Sequence, residues 1–152
     1  MMTTRNWTRA LPLFALLLAA ACTPAAKSAD EVVANLDEYL GEKVVVEVAL
    51  RSGARCRVGQ YEGDFKTYCR DCQYCRGPLV VDVMGSEGRE VDDWPLVLGG
   101  THDGQPIKCE GKLGEVECHP FDLEKRYVIR GSIERTHPPK LLVSEFWEAD
   151  GE

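Results

Sequence analysis

The chain has 152 residues, with 18 Lys and Arg against 25 Asp and Glu and a formal net charge of −7. This length is typical of one domain. An acidic protein repels polyanions, so the charge argues against nucleic acid as a partner. The seven cysteines are the most informative residues of the chain, and their role depends on the compartment in which the protein resides.

The first 21 residues have the pattern of a secretory signal peptide. Arg5 and Arg9 form a basic start, and an apolar run from Leu11 to Ala21 follows. The run is too short to span a bilayer as a helix and is typical of the apolar part of a cleaved signal. Removing residues 1–21 changes the formal net charge from −7 to −9, because two arginines and no acids are lost.

The motif Leu-Ala-Ala-Ala-Cys at 18–22 resembles the lipobox of bacterial lipoproteins. In that family the cysteine becomes the first mature residue and carries the lipid, so the resemblance implies lipidation of Cys22. Ala19 stands where Leu is usual, and residues 19–21 also satisfy ordinary signal-peptidase cleavage, which is the alternative. Thr23 stands where an Asp would indicate the inner membrane, so the resemblance implies the outer membrane, on its periplasmic side.

These features divide the chain into three parts. We predict a signal peptide at 1–21, a lipidated cysteine with a flexible tether at 22–29, and one domain at 30–152. The tether is short and rich in small and polar residues. A lipid on Cys22 would make the membrane the first partner, since each buried methylene contributes about 0.8 kcal/mol.

A short helix and a strand open the predicted domain. The spacing of apolar residues predicts a helix over 29–40, with Asp30 as its cap and Gly41 as its end. Alternation predicts a strand over 42–50, with valines and a leucine on one face.

The rest of the domain is predicted to be strands and turns. Residues 54–77 are poor in aliphatic side chains and need cross-links to hold a shape. Further strands are predicted at 79–84, 94–98, 106–110, 115–119, 126–135 and 141–148.

This order resembles an OB-fold barrel. The resemblance lies in an opening strand at 39–48 and a closing pair at 127–147. It implies a mainly β fold: a small, five-to-seven-stranded OB-like barrel with a short N-terminal helix and a disulfide-rich insertion. The family usually has a helix between its third and fourth strands, and here only 120–125 can supply it, as a single turn.

Six cysteines remain once Cys22 is assigned to lipid. An even number in a small exported domain is typical of a disulfide framework. Cys109 and Cys118 face each other if the chain turns between them as a hairpin, which favours a bond. The other four then have three possible pairings: Cys56–Cys69 with Cys72–Cys75, Cys56–Cys72 with Cys69–Cys75, or Cys56–Cys75 with Cys69–Cys72.

Two alternatives exist for the cluster Cys69, Cys72 and Cys75. With Cys56 it supplies four thiolates, which zinc accepts, although a zinc site usually has two separated pairs. A C-x-x-C pair can also exchange disulfides, but the βαβ context of such redox motifs is absent. Structural disulfides are preferred because the compartment is oxidising.

We expect the histidines and the remaining acidic residues to lie at the surface. The histidines His102, His119 and His137, even with Met84, are far apart in sequence for a metal site. The acids lack the spacing of a calcium loop; they are Asp92, Asp93, Asp103, Glu115 and Glu117.

One segment stands out as a possible binding loop. In an OB-fold, the loop joining the last two strands borders the usual binding face. Here that loop consists of Thr136, His137, Pro138, Pro139 and Lys140. The binding face would then run between the strand at 42–50, the strand at 79–84 and this loop.

The functional expectation is a non-catalytic module. No catalytic motif and no cofactor motif is found in the sequence. We expect an envelope binding or scaffold protein whose partner is another envelope protein, a peptide or a glycan. The alternative is a periplasmic thiol–disulfide or metal-handling protein that uses Cys69, Cys72 and Cys75.

Overall fold

The computed structural model describes residues 24–58, 73–85 and 93–150. No helix among these residues is long and apolar enough to cross a bilayer. Their elements, in chain order, are β1 (Lys27–Ser28), α1 (Ala29–Ala34), α2 (Leu36–Tyr39), β2 (Lys43–Ser52), β3 (Arg55–Val58), β4 (Gln73–Gly77), β5 (Leu79–Asp82), β6 (Val97–Gly99), β7 (Thr101–His102), β8 (Gln105–Pro106), β9 (Lys108–Lys112), β10 (Glu115–His119), β11 (Arg126–Glu134) and β12 (Lys140–Glu148).

Five of these strands close a barrel. β2 pairs antiparallel with both β5 and β11, and β11 pairs antiparallel with β12. β12 runs parallel to β6, which returns antiparallel to β5. Around the barrel the strands follow the order β2, β5, β6, β12, β11. If these five strands are numbered along the chain, the order is 1-2-3-5-4, as in an OB-fold. The predicted OB-like barrel is confirmed.

Alternating side chains fill the barrel. Along β2 the valines at 44, 46 and 48 point inward, and Val46 and Val48 are fully buried. Ile129 of β11 and Leu141 of β12 are also fully buried and belong to the same apolar cluster. Each such side chain contributes about 1.5–3 kcal/mol when buried, so the barrel has an apolar core of its own.

The N-terminal helix is present but differs in detail. It breaks at Asn35 into α1 and α2. Ser28, not Asp30, caps it, because the Ser28 hydroxyl accepts a hydrogen bond from the Glu31 N–H at 3.2 Å. Asp30 instead accepts a hydrogen bond from the Met84 N–H at 2.9 Å and ties the helix to the end of β5.

The structured domain begins earlier than predicted. Lys27 and Ser28 lie beside Val46 and Glu47 as the short parallel strand β1. Ala29 is buried against the barrel. The segment predicted as tether therefore contributes its last three residues to the folded domain.

Between β6 and β11, hairpins replace the usual helix. β7 pairs with β8, and β9 pairs with β10. The segment 120–125 has one hydrogen-bonded turn, from the Lys125 N–H to the Asp122 carbonyl at 3.2 Å, and no helix. Its Phe121 is buried and contacts Tyr127 and Phe146, with ring centroids 4.9 and 4.5 Å away.

A second sheet lies against the barrel. We call it the accessory sheet; its strand order is β10-β9-β4-β3. β3 and β4 come from the cysteine-rich insertion, whereas β9 and β10 come from the segment that replaces the helix. The pairing of β4 with β9 joins Tyr74 to Lys112 and Gly77 to Cys109. Two insertions that are distant in sequence thus form one four-stranded surface.

Candidate functional site

The protein itself covers part of the barrel face expected to bind a ligand, at β5 and β6, whereas a groove remains between β2 and the end of β5. Val80 of β5 and Val97 of β6 are buried in a separate apolar cluster with Trp94. The Trp94 ring lies so close to Gly53 that a Cβ there would be 2.7 Å from its edge. The strand predicted at 94–98 is shorter in the structure, since only 97–99 pair as β6. Trp94 lies before this strand.

The predicted loop Thr136–Lys140 is held against β6. The Thr136 hydroxyl donates to the Pro138 carbonyl at 2.8 Å. The Pro139 carbonyl accepts from the Val97 N–H at 3.0 Å, and Lys140 already belongs to β12. His137 is exposed. The loop therefore presents His137 to solvent beside the part of the barrel that Trp94 covers.

Both described disulfides belong to the accessory sheet. Cys109 and Cys118 are directly opposite on β9 and β10 and form a disulfide, as the hairpin register predicts. Cys56 and Cys75 are opposite on β3 and β4 and form the second one. Cys75 and Cys109 are fully buried, and Cys109 and Cys118 join the apolar cluster of the barrel. The Cys109–Cys118 disulfide thus lies on the sheet face that packs against the barrel, whereas Cys56 on the end strand β3 is exposed.

The Cys56–Cys75 bond selects among the three pairings. It matches only the pairing that joins Cys69 to Cys72, and those two residues, like Cys22, lie outside the described residues. The four-thiolate zinc alternative needs Cys56 and Cys75 as free thiolates. In this structure they are bonded to each other, so the set is not available for a metal.

The outer face of the accessory sheet is charged and exposed. Successive side chains of a strand point to opposite faces of the sheet, so the residues that alternate with the inward cysteines lie on the outer face. One row across β3, β4, β9 and β10 reads Arg57, Tyr74, Lys112 and Glu115; the next reads Arg55, Arg76, Glu110 and Glu117. The face therefore changes from basic at β3 to acidic at β10.

Glu110 connects the charges at the centre of this face. Its carboxylate accepts from Lys108 Nζ at 2.7 Å and from Tyr74 Oη at 3.1 Å, and Arg76 Nη2 lies 3.5 Å away. The hydrogen bond from Lys108 is the main cause that holds the pKa of Glu110 below its ordinary value of 4.5. Partial burial opposes that shift, and Tyr74 and Arg76 add to it.

A groove of about 970 Å³ follows the acidic edge. It is lined by residues of β8, β9 and β10 and by the loop at 120–124. The charged side chains that line it are Lys108, Glu110, Glu117, Asp122 and Glu124, and His119 also lines it.

The structure brings together two histidines that are distant in sequence. The rings of His102 and His119 have centroids 6.0 Å apart, and His119 Nε2 lies 3.4 Å from the His102 carbonyl oxygen. His102 Nε2 is 3.3 Å from an Asp103 oxygen. Met84 lines a different groove, with Asp30 and Arg126. In the described part of the chain, no three His, Cys, Asp or Glu side chains are grouped to hold a metal ion.

Sequence reasoning missed the accessory sheet and the histidine pair for the same reason. Both depend on the β7–β8 and β9–β10 hairpins folding back onto the barrel. The alternation in 108–119 predicted the second hairpin but carried no signal for its neighbour β4. Comparison with known proteins adds nothing to this geometry: no family model, no curated protein and no solved structure matches the chain.

Proposed function

We propose that the protein is exported, is held at the outer membrane by a lipid on Cys22, and acts as a non-catalytic binding module. Its binding surface is the outer face and acidic edge of the accessory sheet rather than the barrel face usual for the fold. One observation carries the choice of surface: the accessory sheet presents exposed charges, whereas Trp94 covers Val80 and Val97 on the barrel.

Rigidity supports this choice. A surface that is already fixed before binding loses less conformational entropy when a partner docks. The outer face is carried by two hairpins, each closed by a disulfide, and the two hairpins pair with each other through β4 and β9. Its charges are therefore displayed on a backbone that is cross-linked on both sides.

The position of β1 supports a close attachment to the membrane. The five residue steps from Cys22 to Lys27 can span at most about 18 Å, at about 3.6 Å per residue. A lipid on Cys22 would thus hold the barrel near the headgroups. The partners that such a module can reach are proteins, peptides or glycans at the same membrane.

The anchor is tested by Cys22→Ser. We expect the variant to leave the membrane fraction, because it lacks the lipidated thioether. Retention in the membrane fraction, measured by immunoblotting after fractionation of cells, would contradict the anchor.

The binding surface is tested by photo-crosslinking in cells. A photoreactive residue replaces Lys112 on the accessory sheet or, as the matched control, Ser144 on β12; both positions are exposed. We expect a crosslinked envelope component from position 112 and none from position 144. Crosslinks from 144 alone would place the binding surface on the barrel.

Thiol–disulfide exchange is a second candidate function. The Cys56–Cys75 bond favours it, because that bond leaves Cys69 and Cys72 as a C-x-x-C pair, a spacing found in exchange-active thiols. Titration of the unreduced, denatured protein tests it: a structural framework leaves no free thiol, and two free thiols that map to Cys69 and Cys72 would favour exchange.

A further inference from the structure

The free edge of β10 has unpaired backbone groups. β10 is an end strand of the accessory sheet. Residues opposite each other in antiparallel strands alternate between hydrogen-bonded pairs and closer, non-hydrogen-bonded pairs. The Cα atoms of Cys109 and Cys118 are 3.9 Å apart, so this pair is of the second kind. The N–H and C=O of Cys118 therefore point away from β9, and by alternation so do those of Val116.

No other segment of the described chain uses these groups. The backbone hydrogen bonds of residues 24–58, 73–85 and 93–150 include none to the outward groups of Val116 or Cys118. Val116, Glu117 and Cys118 of β10 line the groove described above. A strand added to this edge would lie about 4.8 Å from β10.

The carboxylates around this edge have no ion-pair partner among the described residues, and Asp122 accepts a hydrogen bond from the Glu124 N–H at 3.0 Å. Glu115, Glu117, Asp122 and Glu124 form no ion pair with a described residue. The one lysine of the groove, Lys108, is bound to Glu110 at 2.7 Å. A chain that enters the groove therefore meets several carboxylates without an ion-pair partner among the described residues, so a cationic chain is attracted and an anionic one is repelled.

From these observations we propose that β10 binds an extended, cationic peptide segment of a partner protein by strand addition. This inference rests on the proposed function and specifies its partner. Main-chain hydrogen bonds from Val116 and Cys118 hold the segment. Lys or Arg side chains at every second position of the segment lie beside Glu115 and Glu117 on the outer face.

The same charges disfavour a symmetric pairing of two copies. If two β10 strands paired antiparallel, Glu115 and Glu117 of one copy would lie opposite or diagonal to Glu117 and Glu115 of the other. Like charges in facing positions destabilise a sheet, and charged residues are a common protection of edge strands. The edge is thus selective for a partner of opposite charge.

The test uses the full mature protein in non-ionic detergent and three synthetic peptides. The first peptide, of about seven residues, alternates Lys with Val; the second has Glu in place of Lys; the third keeps Lys but is N-methylated at alternate backbone nitrogens. We expect only the first to bind in fluorescence anisotropy, and to slow hydrogen exchange at the Val116 and Cys118 amides while the Glu117 amide, already bonded to β9, does not change.

Two protein variants complete the test. Val116→Pro removes one outward N–H and no bond to β9, so binding should weaken at least about tenfold; Val116→Thr keeps the N–H and is the matched control. Glu117→Lys should weaken binding of the Lys peptide. Hydrogen exchange at the β11 amides should not change, which would show that the barrel is still folded.

Three results would overturn the inference. The first is equal binding of the N-methylated and unmodified Lys peptides, which means attraction by charge alone. The second is no binding of any peptide, and the third is concentration-dependent self-association that Val116→Pro abolishes. If the crosslinks at position 112 appear while these peptide results are negative, the proposed function stands and only the strand-addition partner fails.

Discussion

The barrel and the accessory sheet are stabilised by different means. The barrel has long alternating strands, and residues such as Val46 and Ile129 are fully buried between them. The accessory sheet has short strands whose inward positions are largely cysteines and glycines, and whose outward positions are charged. Apolar burial therefore holds the first region without a described cross-link, whereas the second depends on its cross-links and on the barrel beneath it.

The largest expected effect tests the barrel side of this comparison. Ile129→Ala removes most of a fully buried side chain from the middle of β11. We expect a loss of about 2–5 kcal/mol in the free energy of unfolding, since the cavity adds to the lost burial. Chemical denaturation with the disulfides intact measures it. Leu113→Ala, at an exposed hairpin tip, is the control and should change little.

The next effect tests the accessory sheet. The double variant Cys109→Ala with Cys118→Ala removes the disulfide that closes β9 and β10. For a sequence separation of 9 residues, the loss of loop closure is worth about 2–3 kcal/mol in the chain-entropy account. In hydrogen exchange, the amides of β10 should be the first to lose protection. An equal loss in β11 would mean that the two regions unfold as one unit.

The third effect lies at the junction between the regions. A Cβ on Gly77, at the end of β4, would collide with the backbone carbonyl of Gly53, which follows β2. Because backbone cannot move aside as a side chain does, Gly77→Ala should cost about 1–3 kcal/mol, measured by thermal or chemical unfolding. Gly99→Ala is the matched control, since its Cβ would meet the tip of Leu142. A milder result at Gly77 than at Gly99 would contradict the tight junction.

The smallest effect concerns the charges of the outer face. The pKa of Glu110 is lowered on folding, so the ionised form is stabilised in the folded state. That stability is present above pH 4.5 and is lost as the pH falls through the lower folded pKa. Because the Glu110 side chain is 37% exposed, the contribution should stay below about 1 kcal/mol.

Glu110→Gln measures that contribution. The variant should unfold more easily at pH 7 and show a shallower loss of stability below pH 4.5 than the wild type. Glu134→Gln, which removes an exposed acid from β11, serves as the control. An unchanged acid profile in Glu110→Gln would mean that the Lys108 and Tyr74 contacts do not form in solution.

The sequence predicted the barrel well because its signal is local. The alternation of Val44, Val46 and Val48 and that of Tyr127, Ile129 and Ile133 can be recognised within single segments, and both predict the buried faces of β2 and β11. The hairpin disulfide Cys109–Cys118 was predictable for the same reason, since its register follows from one short turn.

The candidate site was harder to predict because its contacts are not local. The pairing of Tyr74 with Lys112 joins two insertions, and neither contains a pattern that specifies the other. The sequence predicts Trp94 as part of a strand, whereas in the structure its ring packs on Gly53 and clusters with Val80 and Val97. The sequence predicts Ser28 as part of the tether, whereas in the structure its hydroxyl caps the first helix.

Hydrogen exchange before and after reduction of the disulfides tests the division between the two regions most directly. In the reduced protein, we expect the amides of Val46 and Ile129 to keep their slow exchange, because apolar burial holds the barrel. The amides of Glu110 and Glu117, which bond across β9 and β10, should become fast. Loss of protection in both sets together, or in neither, would contradict this division of the molecule.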